Sequence, residues 1–164
     1  MKFKYCPICG NKLSLKELGD EGKIPYCNSC EQPYFDSFNT CVIVTMINGD
    51  KIALVKQDRI SKRHWILIAG YIVEGETAEQ TVLREVEEET GISVNECKYI
   101  SSYFHERGDN LMLGFIAFVS DDEFSISSEI DEIKWFDIKD AEKYLKEGSI
   151  AYQHFCKVRN HHVL

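Results

Sequence analysis

With 164 residues, 44% hydrophobic and 28% charged, the chain is long enough for one packed domain, or for a compact domain plus a small satellite. Its formal net charge of −8 makes it a poor default binder of polyanions, because nucleic-acid affinity leans on phosphate neutralisation by Lys and Arg. An anionic substrate therefore needs local help, from a metal ion or a few placed cations.

Met1-Lys2-Phe3-Lys4-Tyr5 runs into Cys6 without an apolar leader segment, and no apolar run is long enough to span a bilayer. The expectation is a cytoplasmic protein with no membrane partner, in a reducing compartment where grouped cysteines suggest metal before disulfide. Residues 1–36 hold four of the seven cysteines and all three prolines, with little helical periodicity. Cys6-Pro7-Ile8-Cys9 and Cys27-Asn28-Ser29-Cys30 are separated by 17 residues, the spacing of a closed four-thiolate zinc site. The predicted module is a zinc ribbon over 1–36 holding a structural Zn²⁺ on Cys6, Cys9, Cys27 and Cys30. Gly10 suits the turn after the first pair, whereas Glu31 stands at the equivalent place after the second. Cys41, Cys97 and Cys156 are isolated and read as small buried hydrophobes.

A boundary is expected near Ser37-Phe38-Asn39, with a second domain over 37–164. Val42 to Ile47 and Ile52 to Val55 flank Asn48-Gly49-Asp50, a hairpin signal. Trp65 to Ala69 reads as a buried strand. A Gly- and Glu-containing loop follows, then a helix from about Thr77 to Thr90, opened by a Thr77/Gln80 capping box and stopped by Gly91. Further strands are expected around 98–104, 111–120 and 133–138, and short helices over 139–147 and 150–159. Interspersed strands and helices indicate a layered α/β or α+β domain.

The helix carries the strongest chemical signal. Glu85, Glu88 and Glu89 fall at i, i+3 and i+4 and share one flank, beside an apolar stripe of Ala78, Val82 and Val86. Like charges at that spacing destabilise a helix by roughly 0.2–0.5 kcal/mol per pair. A hard divalent cation such as Mg²⁺, which takes oxygen ligands, reverses the sign. Arg84 is placed to brace the acids.

The segment GYIVEGETAEQTVLREVEEETGI resembles the Nudix box, Gly-x5-Glu-x7-Arg-Glu-U-x-Glu-Glu-x-Gly-U with U aliphatic. Gly70, Glu76, Arg84, Glu85, Val86, Glu88, Glu89, Gly91 and Ile92 fill the fixed positions. The resemblance implies an α/β/α sandwich around a mixed sheet, and Mg²⁺- or Mn²⁺-dependent hydrolysis of nucleoside diphosphates linked to another moiety. It implies Glu85, Glu88 and Glu89 as metal ligands together with the Gly70 carbonyl, Arg84 orienting them, Glu76 supporting the loop, and Glu89 or Glu129 as general base. The N-terminal ribbon, Ala69-Gly70-Tyr71, 111–115 and 129–136 are similar to the NADH pyrophosphatase group. From that likeness Glu129 is a further metal ligand, Tyr71 stacks on the substrate base, and Ser149-Ile150-Ala151 lies near the substrate. That group's Ser-Gln-Pro-Trp-Pro-Phe-Pro-x-Ser element is absent: the stretch 102–110 has neither proline nor tryptophan. Tyr103, Phe104, His105 and Arg107 form either a different substrate wall or an exposed hairpin loop.

Two other functions fit the same residues: a nucleotide-sensing Nudix module, against which the complete carboxylate set argues, and a hydrolase of nucleotide caps on RNA. In the ribbon, Lys2, Lys4, Lys12, Lys16 and Lys23 are balanced by Glu17, Asp20, Glu21, Glu31 and Asp36, so no basic stripe for RNA results. Ribbon-bearing members of the family often dimerise, and a homodimer is the expectation. His64, His105, His154, His161 and His162 are scattered and suggest no site.

Overall fold

The computed structural model describes residues 3–161, the side chain of His161 excepted, so Lys2 and His162 lie outside the described residues. The chain divides into two compact units, Met1–Phe38 and Asn39–Leu164.

The first unit is a three-stranded antiparallel sheet in the order β1-β2-β3, from β1 (Ser14–Glu17), β2 (Lys23–Cys27) and β3 (Gln32–Pro33). Its strands are short and mostly exposed, and its buried positions are Cys6 and Cys27. So little apolar surface is buried that the cysteines have to supply the cohesion. The turn after Cys6-Cys9 closes with the Gly10 N–H on the Cys6 carbonyl at 2.9 Å, with Gly10 at φ 73°. Glu31 adopts the same left-handed region, φ 54°, after the second pair. The two turns therefore have like conformations although only one carries the residue that favours it.

The second unit is built on a six-stranded mixed sheet. Its strands are β4 (Asn39–Asn48), β5 (Lys51–Lys56), β6 (Ile68–Tyr71), β7 (Glu96–His105), β8 (Asn110–Phe118) and β9 (Glu132–Asp137). The order is β7-β8-β4-β5-β9, with β6 paired to residues 41–44 of β4. The β4–β8 pair is parallel and the others are antiparallel. β4 is buried on both faces, which explains its unbroken apolar run. Alternation sends Val42, Val44 and Met46 to one side, against Val82 and Val86 of α1 (Ala78–Thr90). Ile43 and Ile47 face the other side, against Phe155 and Val158 of α3 (Ile150–His161). Helices thus cover both faces, giving the α/β/α sandwich with a mixed sheet.

α1 begins and ends as the sequence indicates. Thr77 Oγ1 accepts from Gln80 N–H at 3.2 Å, Gln80 Oε1 accepts from Thr77 N–H at 2.8 Å, and Gly91 closes the helix in the left-handed conformation. Elsewhere the elements shift. The buried run from Trp65 joins the ladder only at Ile68; Trp65 and Ile66 make isolated bridges to Leu145 and Val55. The expected helix over 139–147 is reduced to α2 (Ile138–Ala141) and a 3₁₀ turn, Glu142–Tyr144. Leu145 turns extended, ψ 148°, and is buried beside Trp65. Of the isolated cysteines, Cys41 is buried and Cys97 and Cys156 are partly exposed.

Candidate functional site

The first constellation lies wholly within the N-terminal unit. The sulfurs of Cys6, Cys9, Cys27 and Cys30 all fall within 4.8 Å of one another. Cys6 and Cys30 are 3.8 Å apart and Cys9 and Cys27 3.5 Å. A disulfide needs about 2.05 Å. A tetrahedron of sulfurs around zinc, at about 2.3 Å per bond, has edges of about 3.8 Å. The spacing suits a closed metal cage, and Tyr34 Oη at 3.1 Å from Cys6 Sγ adds a polar neighbour of the kind that steadies a thiolate.

The second lies wholly within the C-terminal unit, a cleft of about 1430 Å³. One wall is the carboxylate flank of α1 with Gly70 and Tyr71 of β6. The others come from Gln57 and Arg59 after β5, residues 104–107 at the end of β7, Glu129, and Gly148 to Ala151 at the start of α3.

The wall of acids is organised by Arg84. Its Nε and Nη2 grip Glu76 bidentately at 2.7 and 2.9 Å, Nη1 donates to Glu85 at 2.7 Å and Glu88 at 3.0 Å, and Nη2 also donates to the Tyr71 carbonyl at 3.0 Å. All five guanidinium N–H groups are thereby used. Glu76 also accepts from Thr81 Oγ1 at 2.8 Å. The Arg84 and Thr81 bonds hold its carboxyl down at about 2.

Glu85 lies directly over Gly70. A Cβ at that glycine would meet the Glu85 carboxylate at 1.8–2.2 Å, so a side chain and a carboxylate cannot share the space. Burial pushes the Glu85 carboxyl up, against the pull of Arg84. Glu89, one turn on, is only 5% exposed and its Oε2 has no hydrogen-bond partner among the described residues. Burial, then the neighbouring charges of Glu85 and Glu129, raise its carboxyl to about 8. Glu88 is exposed beyond Arg84, and Glu129 is exposed and paired with Arg59 at 3.3 Å.

Of the substrate residues expected from the sequence, Tyr71, Phe104 and Arg107 line the cleft, as do His105, Ser149, Ile150 and Ala151. Tyr71 and Phe104 are each more than half exposed. Tyr103 is a correction: it is 9% exposed and packs in the core beneath α3 rather than in the cleft wall. A register shift between Tyr99 and Ser101 sets the phase of β7, and that phase turns Tyr103 inward while Phe104 stays exposed at the cleft. Its hydroxyl meets His154 Nδ1 at 3.3 Å, while His154 Nε2 donates to the Phe115 carbonyl at 2.9 Å. A carbonyl only accepts, which fixes Nε2–H and leaves Nδ1 to accept from Tyr103. His154 is thus a satisfied core histidine, held neutral by burial with its pKa lowered to about 4.

Gln57 and Arg59 were not among the expected site residues. They lie in a turn with no periodicity, and no local pattern marks a single polar residue there as facing a cleft.

A family model described as "NUDIX domain" matches residues 38–156. Over 152 residues the chain is 31% identical to a protein of Vibrio atlanticus named NAD-capped RNA hydrolase NudC, covering 92% of this chain and 55% of that protein. It is 31% identical over 143 residues to human NAD-capped RNA hydrolase NUDT12, covering 82% and 31%. The chain therefore spans about half the length, or less, of these relatives. Among solved structures, a NUDIX hydrolase from Nitrosomonas europaea superposes with a TM-score of 0.77 at 22% identity, covering 98% of this chain and 93% of that one. The NUDIX domain of Shewanella oneidensis NrtR, complexed with ADP ribose, gives 0.65 at 20% identity, covering 83% and 93%. At those identities the likeness is one of fold.

Proposed function

Because the chain belongs to the NUDIX domain family, we propose that it is a divalent-metal-dependent pyrophosphohydrolase acting on a nucleoside diphosphate linked to another moiety. The observation that carries this is Glu89: a buried carboxyl group with an oxygen that has no partner among the described residues, lining a large cleft beside Glu85. A buried unpaired carboxylate is costly, and a cation ligated there relieves both the desolvation and the like-charge repulsion.

Glu85, Glu88, Glu89, Glu129 and the Gly70 carbonyl are the groups that would hold Mg²⁺ or Mn²⁺, and oxygen donors of this kind suit either ion. When bound, the cation supplies neutralisation of the pyrophosphate charge. Glu89 or Glu129, both carboxylates of the cleft wall, would accept the proton of the attacking water. Arg84 keeps Glu85 and Glu88 in place, and Glu76 in turn anchors Arg84. Tyr71, exposed and lining the cleft, offers a face for a substrate base.

NAD-type dinucleotides, ADP-ribose and nucleotide sugars share the required linkage. The names of the relatives favour one further form of it, a nucleotide cap on RNA. The four cysteines are assigned a structural Zn²⁺. A cytoplasmic location and a homodimer belong to the same reading. Among the described residues, no helix is long and apolar enough to cross a membrane.

The test is product release from NADH, NAD⁺, ADP-ribose, nucleotide sugars, dinucleoside polyphosphates and NAD-capped RNA, with Mg²⁺ or Mn²⁺, beside Glu89→Gln. Turnover of one class that disappears in the variant is the expected result. A folded, metal-supplied protein that cleaves none of them, or a variant as active as the parent, defeats the reading.

A further inference from the structure

The phosphates of the proposed substrate need a cationic partner in the cleft. Arg84 stands among the carboxylates, yet its five N–H groups are committed to Glu76, Glu85, Glu88 and the Tyr71 carbonyl. It reaches a phosphate only by releasing a partner it already holds. Three other cations line the cleft: Arg59, Arg107 and Lys146. Of these, Arg59 is ion-paired with a carboxylate of the cleft wall, Glu129, at 3.3 Å.

Arg59 is also well placed. Its turn is closed by the Gln57 carbonyl, which accepts from the N–H groups of Ile60 and Ser61 at 2.8 and 2.9 Å. That turn is tied to the loop carrying Glu129: Asp58 N–H donates to Asp131 Oδ2 at 2.6 Å, and Asp131 N–H to the Lys56 carbonyl at 2.9 Å. The guanidinium itself is lightly used. Among the described residues its one hydrogen bond is Nη2–H to Glu129 Oε2 at 3.3 Å, with side chains 64% and 65% exposed. An ion pair that exposed and that long contributes little and is easily exchanged. The planar fork of donors left over matches adjacent phosphate oxygens bidentately.

We propose that Arg59 is the phosphate-binding residue of this cleft, resting on Glu129 in the free protein and moving to the pyrophosphate of a bound nucleoside diphosphate. The exchange leaves Glu129 available as a cation ligand. This rests on the hydrolase reading above and names the side chain that recognises the diphosphate within it.

ADP and adenosine are titrated calorimetrically into the Mg²⁺-loaded protein and into Arg59→Ala and Arg59→Lys, and Mn²⁺ affinity without nucleotide is measured by electron paramagnetic resonance. A charge-assisted hydrogen bond to phosphate corresponds to on the order of 10-fold or more in affinity. Arg59→Ala is expected to weaken ADP by that factor while leaving adenosine unchanged, with Arg59→Lys between. Mn²⁺ affinity is expected to hold or to rise, because a competitor for Glu129 has gone. Equal ADP binding by parent and Arg59→Ala overturns the inference alone. So does a fall in Mn²⁺ affinity that matches the fall in ADP, which would make Arg59 a positioning residue for Glu129. A parent that binds no ADP also overturns the inference alone, whereas a parent that cleaves nothing in the substrate panel removes the hydrolase reading and this inference with it.

Discussion

Gly70→Ala is the most informative single change in the cleft. Gly70 is not at a positive φ, so alanine fits the backbone and the whole effect comes from one methyl group. That carbon would stand 1.8 Å from Glu85 Cδ, where ordinary contact begins at 3.4 Å, so the carboxylate has to move by about 1.5 Å. Moving it breaks the 2.7 Å bond from Arg84 Nη1, worth about 1.5–3 kcal/mol as a charge-assisted hydrogen bond. Reduced chain entropy in the unfolded state returns about 0.4–1 kcal/mol. The net loss is about 0.5–2.5 kcal/mol, a fall in Tm of about 1–10 °C. The effect on turnover is larger, because misplacing a group by 1 Å costs on the order of 100-fold. Steady-state kinetics on the best substrate of the panel, with Tm measured alongside, separates the two. Gly114→Ala is the control. Its Cβ would fall 2.6 Å from the His154 ring and 3.0 Å from the Ser101 carbonyl, in the core and away from the carboxylates. It is expected to lose stability while its folded fraction keeps kcat. A Gly70→Ala protein with kcat within about threefold of the parent would refute the claim that this glycine exists to admit Glu85.

Glu89 gives a pH dependence. With its carboxyl raised to about 8 in the fold, the metal-free protein has the associated stability in full below about 4.5 and loses it as pH rises through about 8. A cation needs the carboxylate, so Mn²⁺ affinity should climb from pH 6 and level off above 8, and a flat titration would count against the assignment. His154 runs the other way: its pKa lowered to about 4 supplies stability above about 6.5 that is lost as pH falls through 4. His154→Leu should be less stable at pH 7 yet show a shallower loss towards pH 4 in urea titrations; an unchanged slope argues against it. In the N-terminal unit, Cys27→Ser should abolish binding of about one zinc per chain, read by atomic absorption. Retained zinc would dismiss the four-thiolate cage.

The sequence made α1 legible to the residue because several independent signals coincide there: the Thr77/Gln80 box, the Val82–Val86 stripe, Gly91, and the nine fixed positions around them. The cysteine pairs were legible because their chemistry depends on short spacing. β7 shows the limit. Its exposure pattern has no clean alternation, and the irregularity between Tyr99 and Ser101 sets which residues face the core, so counting along the strand could not tell Tyr103 from Phe104. The segment 139–147 is rich in Lys and Glu and reads as helix, but burial of Leu145 beside Trp65, far away in sequence, overrides that propensity. Arg59 was out of reach for the same reason: what matters about it is that Asp131 holds its turn against the Glu129 loop, a contact across 73 residues.

Where this chain breaks the rules of a stable fold is itself informative. Two buried side-chain atoms lack partners among the described residues, Thr45 Oγ1 and Glu89 Oε2. The first is a neutral hydroxyl within β4, a modest cost that demands nothing more. The second belongs to an acid set among like charges, on a helix whose glutamates already repel one another at i, i+3 and i+4. A helix under no functional demand would place these acids on its exposed face, where water screens them. Instead Glu85 and Glu89 border the buried stripe, Gly70 gives up its side chain to let one of them in, and Arg84 spends every donor on its neighbours without reaching Glu89. Local rules violated together at one spot are what the proposed cation site would account for.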